Sequence, residues 1–189
     1  LVPVGPLTNI ALALRLDPSI VSLFKEVVIM GGAVTIPGNM TPVAEANIYH
    51  DADAAEIVMG AGWPLTLVGL DVTQKTIMTP AYHQELFDAD NPAVNLIQTI
   101  LPYYQNYFNK FEGLNGSIYT HDPSAIAYVI NPHLFKTASV PVYVETHGRC
   151  MGQTVADWKN QWGERPNINV CLDVDSQGVL GLIKERLIK

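Results

Sequence analysis

Three polar side chains that follow an apolar strand are the clearest candidates for chemistry in this chain. Val27-Val28-Ile29-Met30 runs into Gly31-Gly32, and the segment from Gly38 to Asn47 then delivers Asn39, Glu45 and Asn47. Strands that are apolar on both faces belong to parallel sheets. Ligands of such sheets bind beyond the carboxyl ends of the strands, so the trio falls where a small-molecule site belongs. Extended backbone over 45–47 would point Glu45 and Asn47 to one side, because side chains alternate with a period of two. Two amides and a carboxylate converging in this way suit a polyhydroxylated ligand such as a sugar.

A second candidate is His121-Asp122-Pro123-Ser124. The ordinary role of this string is a helix start, with Asp122 as N-cap and Pro123 in the first turn. The same position presents His121 and Asp122 to a ligand. A histidine can protonate a leaving group near neutral pH, and an aspartate can ligate a hard cation. Upstream lie Tyr103, Tyr104, Tyr107, Phe108 and Phe111. The spacing 104, 107, 108, 111 is one helical face, which reads either as core packing or as a wall that stacks on a flat ligand. Asp71 reads as a strand-end carboxylate satisfied by loop amides. His50 and His83 read as surface residues. Cys150 and Cys171 lack metal-ligand spacing and read as reduced thiols.

The elements that must position these residues follow from pattern and punctuation. Helices are predicted over 7–16, from 51 to about 59, over 80–88, 92–111, 122–130 and 176–188, with a short helical turn over 19–25. Strands are predicted over 26–30 and 65–70, and 140–146 with 168–173 reads as a late antiparallel pair. Leu1-Val2-Pro3-Val4 reads as the end of a buried strand, which leads us to expect the later part of a longer protein. Strands alternating with helices up to residue 73 predict an α/β fold with an open, mostly parallel sheet and right-handed crossovers.

The 189 residues are 48% hydrophobic and 15% charged, which describes one domain, 1–189, with a real core. The net charge of −7 argues against a nucleic-acid backbone or an anionic membrane as main partner. No apolar run spans a bilayer and no basic-then-apolar leader opens the chain, so a cytoplasmic location is expected. No Gly-x-Gly-x-x-Gly follows a strand, and no Gly-x-Ser-x-Gly elbow occurs.

The motifs together carry a family resemblance. Val4-Gly5-Pro6-Leu7-Thr8-Asn9-Ile10-Ala11, Met30-Gly31-Gly32, Gly38-Asn39 through Asn47-Ile48, Gly69-Leu70-Asp71-Val72-Thr73 and His121-Asp122-Pro123 occur in that order. So arranged, the chain resembles the C-terminal two-thirds of inosine-uridine preferring nucleoside hydrolases. The resemblance implies hydrolysis of the N-glycosidic bond of ribonucleosides to ribose and free base, with Ca²⁺ at the carboxyl edge of the sheet. It implies ribose binding by Asn39, Glu45, Asn47 and Asp122, with Met30 beneath the sugar. It implies His121 as leaving-group acid, and Asp122 with the Val4 carbonyl as metal ligands. Tyr104, Tyr107 and Tyr119 become base contacts, and a homo-oligomer, dimer or tetramer, is expected.

One departure qualifies the expectation. The family's N-terminal motif of the form Asp-x-Asp-x-x-x-Asp-Asp is absent from these 189 residues. It should supply most carboxylate metal ligands and the base that activates water. The chain alone is therefore expected to be inactive, with a sheet edge and apolar surface left bare. The alternative is a non-catalytic module that binds nucleosides or sugars.

Overall fold

The computed structural model describes residues 1–89 and 91–188. In chain order the elements are α1 (Thr8–Leu16), β1 (Val27–Met30), α2 (Ala46–His50), α3 (Ala52–Met59), β2 (Leu65–Val68), α4 (Leu70–Thr73), β3 (Ile77–Met78), α5 (Pro80–Phe87), α6 (Pro92–Phe111), β4 (Ile118–Tyr119), α7 (His121–Ile130), β5 (Phe135–Val140), β6 (Val142–Val144), β7 (Thr154–Ala156), β8 (Ile168–Val174) and α8 (Ser176–Leu187). The central sheet has the order β1-β2-β8-β5. β1, β2 and β8 run parallel, and β5 closes the edge antiparallel to β8. This is the expected α/β arrangement, a mostly parallel sheet flanked by helices.

Alternation along the strands explains why both faces need covering. Val27, Ile29, Leu65, Leu67, Ile168 and Val170 pack with α1 and α3, whereas Val28, Met30, Val68 and Cys171 pack with α7 and α8. Period-two side chains divide one apolar strand between two cores. Residues 1–3 lie against the free side of β1. Val28 N–H donates to the Leu1 carbonyl at 2.9 Å and Met30 N–H to the Pro3 carbonyl at 2.9 Å. The stretch is thus strand-like in its bonding, but Leu1 and Val4 are each 41% exposed rather than buried. Among the described residues no helix is long and apolar enough to cross a membrane.

Three expectations are corrected. The antiparallel partner of β8 is β5, and β6 pairs instead with β7. Pro141 separates β5 from β6 and has no N–H to continue a ladder. β5 escapes pattern reading because Lys136, Thr137 and Ser139 give an edge strand exposed polar positions. The aromatic face of α6 is not core: Phe108 is buried, but Tyr104, Tyr107 and Phe111 are 51%, 50% and 62% exposed. The helix is covered on one side by α5 and β4, and most of this face looks outward. His83 is not a surface residue; it is 2% exposed on α5.

His83 stacks on Phe87 with centroids 6.4 Å apart, and neither ring nitrogen has a hydrogen-bond partner among the described residues. Burial lowers its pKa below the ordinary 6.5. Above that pH both folded and unfolded chains hold it neutral. As pH falls, the unfolded chain takes the proton first, so stability is lost from the ordinary value down to the folded-state value. We expect His83→Leu to lose less stability than wild type between about pH 7 and pH 5 in urea unfolding. Equal pH slopes for the two proteins would remove His83 as a source of acid sensitivity.

Candidate active site

The glycine turn after β1 is built around one carboxylate. Glu45 is 2% exposed. Its Oε2 accepts from Gly32 N–H at 3.1 Å, from Asn47 N–H at 3.0 Å and from Ile48 N–H at 3.2 Å. Two of these are orphan donors of the first turn of α2, so Glu45 is that helix's N-cap. The residues 45–47 are therefore not extended. Glu45 and Asn47 meet because a helix starts between them. The capping bonds come partly from Asn39, whose Oδ1 accepts from Ala46 N–H at 3.0 Å.

Asn47 completes the group by donating its Nδ2 to the Met30 carbonyl at 3.1 Å and to Met30 Sδ at 3.4 Å. Met30 is buried at the end of β1. Asn39, Glu45, Asn47 and Met30 thus form one hydrogen-bonded assembly at the carboxyl edge of the sheet. What they leave for a ligand is the exposed Asn39 amide group and the Asn47 carbonyl oxygen; the second Glu45 oxygen, Oε1, also accepts from Asn47 N–H, at 3.0 Å. Burial raises the Glu45 pKa; the backbone donors oppose this, and the nearby Asp122 charge adds to it. The Asp122 charge is thus near enough to act on Glu45.

α7 begins with Thr120 at its N-cap, two residues earlier than the sequence suggests. Asp122 lies inside the first turn, where its charge still suits the helix dipole. It sits at the rim, exposed as a residue, with its carboxyl partly withdrawn from water, which raises its pKa. Asp122 lines two cavities. One, of about 380 Å³, also holds Val2 and Val4. The other, of about 470 Å³, is walled by Ile97, Leu101, Tyr104, Phe108 and Tyr119 and contains His121. Tyr104 and Tyr119 are among its walls; Tyr107 is not, and packs on Phe108 and Phe111 instead. Phe108, part of the aromatic face read as a possible wall, is a wall residue that the family resemblance did not add to the base contacts. Its place on the buried side of the α6 stripe was the available signal.

His121 packs against the rings of Phe108 and Tyr119, at 6.2 and 5.6 Å, and those two rings also touch each other. Its Nδ1 lies 2.8 Å from Thr73 Oγ1. Burial pushes its pKa down to about 4. Thr73 belongs to α4, the single turn that follows β2, a strand the sequence had run on to Leu70. Asp71 of the same turn accepts from Val34 N–H at 2.9 Å and from Thr35 N–H at 2.8 Å, as a loop-satisfied carboxylate should. The arrangement has a polar half that can grip hydroxyls and an apolar half that can enclose a flat ring beside an imidazole.

Among the described residues no three His, Cys, Asp or Glu side chains gather as a metal-binding group. The chain offers one carboxylate, Asp122, and one carbonyl, at Val4. A hard dication such as Ca²⁺ takes roughly six to eight oxygens. The residues described do not make such a cage.

Comparison with known proteins gives the class. The family model described as inosine-uridine preferring nucleoside hydrolase matches residues 1–181. The chain belongs to this family. It is 40% identical to the inosine-uridine preferring nucleoside hydrolase of Crithidia fasciculata over 99% of this chain and 59% of that protein. It is also 40% identical to the pyrimidine-specific ribonucleoside hydrolase RihA of Salmonella typhi, over 99% of this chain and 60% of that one. The solved purine-preferring ribonucleoside hydrolase from Gardnerella vaginalis superimposes with a TM-score of 0.91 at 33% identity, covering 98% of this chain and 59% of its own. The chain therefore spans about three-fifths of the length of these relatives.

The Glu45 geometry makes a stability prediction. Glu45→Ala removes the acceptor of three backbone N–H groups and should cost about 2 kcal/mol or more. Glu45→Gln keeps one acceptor oxygen and sheds a buried charge, so it should cost less than half of that. Denaturant midpoints for the two variants decide this; equal losses would show that the carboxylate's charge, rather than its bonds, holds the turn.

Proposed function

We propose that the protein formed around this chain hydrolyses the N-glycosidic bond of ribonucleosides, releasing ribose and a free base. The observation that supports this is the Asn39-Glu45-Asn47 group at the sheet edge together with the aromatic cavity holding His121 and Asp122, whose charge acts on Glu45. In this reading Asn39, Glu45, Asn47 and Asp122 hold the ribose hydroxyls, with Met30 beneath the ring. As the bond from C1′ to the base nitrogen breaks, its electron pair leaves with the base and positive charge spreads over C1′ and the ring oxygen. The Glu45 and Asp122 carboxylates favour that charge electrostatically. Water adds to C1′, and the proton it gives up passes to the departing base by way of the His121 imidazole, which burial keeps neutral at rest. The products are ribose and the free base.

Tyr104, Tyr119 and Phe108 enclose the base in this reading, and Tyr107 supports the wall from outside. The relatives' names span inosine-uridine, pyrimidine and purine preferences at comparable similarity. The reading therefore names ribonucleosides as a class. The family resemblance adds Ca²⁺ to it, held in part by Asp122 and the Val4 carbonyl. One carboxylate and one carbonyl do not hold such an ion, so we infer that these 189 residues by themselves bind without turning over. The unpaired thiols Cys150 and Cys171 support a cytoplasmic location. Leu96, Ile100, Tyr103 and Phe111, exposed along α6, support self-association into a dimer or tetramer.

The test uses the longest reading frame that contains these residues, assayed with Ca²⁺ for release of hypoxanthine from inosine and uracil from uridine. Base release is expected, with Asn39→Ala reducing turnover by about 100-fold or more, the range of a lost transition-state contact. Binding of nucleosides without release would favour the non-catalytic module. Near-normal turnover in Asn39→Ala would remove that residue from the sugar site.

A further inference from the structure

Phe108 and Tyr119 both pack against His121, and neither can tell one edge of the imidazole from the other. A half-turn about the bond joining ring to Cβ exchanges Nδ1 with Cδ2 and Nε2 with Cε1. Packing against Phe108 and Tyr119 sets the plane of the ring and leaves that choice open. The choice is made by a neighbour that can hydrogen bond. Thr73 is fully buried, and its Oγ1 lies 2.8 Å from Nδ1.

The hydroxyl is held on a rigid support. Thr73 N–H donates to the Gly69 carbonyl at 3.1 Å, and Leu70 N–H donates to the Gly32 carbonyl at 2.8 Å. Asp71 holds the backbone of Val34 and Thr35. The turn that carries Thr73 is thereby bonded to the same glycine loop that carries Glu45. A hydroxyl also has a property that an amide or carboxylate lacks: it donates to a bare ring nitrogen and accepts from a protonated one. It can stay bonded to Nδ1 whichever form the ring takes.

We propose that Thr73 is a positioning residue for the hydrolysis, fixing the flip state of His121 so that Nε2 faces the base-sized cavity. This rests on the functional reading above, in which His121 serves the leaving group. The site then has its sugar-holding loop and its proton donor set in register by one turn of helix, α4. The distance between them is maintained through backbone bonds rather than through the ligand.

The experiment compares two substrates in the full-length protein with Ca²⁺. Inosine needs a proton on its departing base. A p-nitrophenyl riboside does not, since its phenolate is stable as it leaves. Thr73→Val, nearly isosteric, should lower kcat for inosine about tenfold or more with little change in KM. It should leave the p-nitrophenyl riboside within about threefold of wild type, the pattern also expected of His121→Ala. Thr73→Ser should restore most of the inosine rate. Unchanged inosine turnover in Thr73→Val, or equal loss on both substrates, would overturn the proposal while leaving the function standing. A wild-type protein that releases no base from any nucleoside would sink the functional reading instead. The ring can then still be examined directly: nuclear Overhauser contacts of the His121 Hδ2 and Hε1 protons should report a single ring orientation in wild type and a second or averaged one in Thr73→Val, and identical contacts would refute the assignment.

Discussion

A buried carboxylate organises this edge of the molecule. Glu45 is withdrawn from water in a position where an unpaired charge would be costly. Its bonds to Gly32, Asn47 and Ile48 are what make that position tenable. Those partners belong to two different pieces of chain, the turn that leaves β1 and the first turn of α2. One side chain therefore joins the end of a core strand to a helix 13 residues later. Burial still outweighs the bonds, as the raised pKa shows. The carboxylate is held ready to interact more strongly when positive charge develops near it, and this is the condition for electrostatic preorganisation.

The rest of the site depends on how closely two loops approach each other. A Cβ on Gly69 would stand 2.7 Å from the Gly32 carbonyl oxygen and 3.1 Å from that of Gly31. That contact is too short for any other residue without a backbone shift. The absent side chain lets the end of β2 press against the turn after β1. α4 can then reach both the sugar loop, through Asp71, and the imidazole, through Thr73. Parallel strands make this possible because adjacent carboxyl ends lie at the same edge of the sheet. The polar and apolar halves of the site come from different parts of the chain and meet there.

The sequence was most legible where a signal is local. Apolar runs at 27–30 and 65–68, the Asn91-Pro92 start of α6 and the Asp175-Ser176 start of α8 each announce themselves within a few residues. Asn39, Glu45 and Asn47 were also visible, because polar residues after a buried strand are informative by type. Their geometry was not. The helix at 46–50 starts because Asn39 and Glu45 supply acceptors, one of them seven residues upstream, and no periodicity records such a bond. His83 and Thr73 were illegible for a related reason. A lone histidine on a helix, or a threonine after a strand, has no pattern of its own. Its burial is decided by which elements pack there, α5 against α6 in the first case and α4 against α7 in the second. The aromatic stripe of α6 was read correctly as a helical face but not as an exposed one, since a stripe does not say what covers it.

This division between local and tertiary information matches a division of labour in the site. The Asn39-Glu45-Asn47 group is woven into backbone hydrogen bonds, so changing any member disturbs the turn that holds the others. The cavity wall beside His121 is made of side chains from α6 and β4 that contact one another edge to face, with Phe108 against Tyr119 at 5.5 Å. Such contacts are each worth about 1 kcal/mol and can be exchanged for others without moving the main chain. A site built this way can keep one bond-breaking geometry while its tolerance for the attached base drifts. The relatives carry names that differ in base and agree in nucleoside hydrolysis. On the function proposed above, the physical reason is that the polar half is tied into backbone hydrogen bonds, whereas the apolar half is held by ring contacts alone.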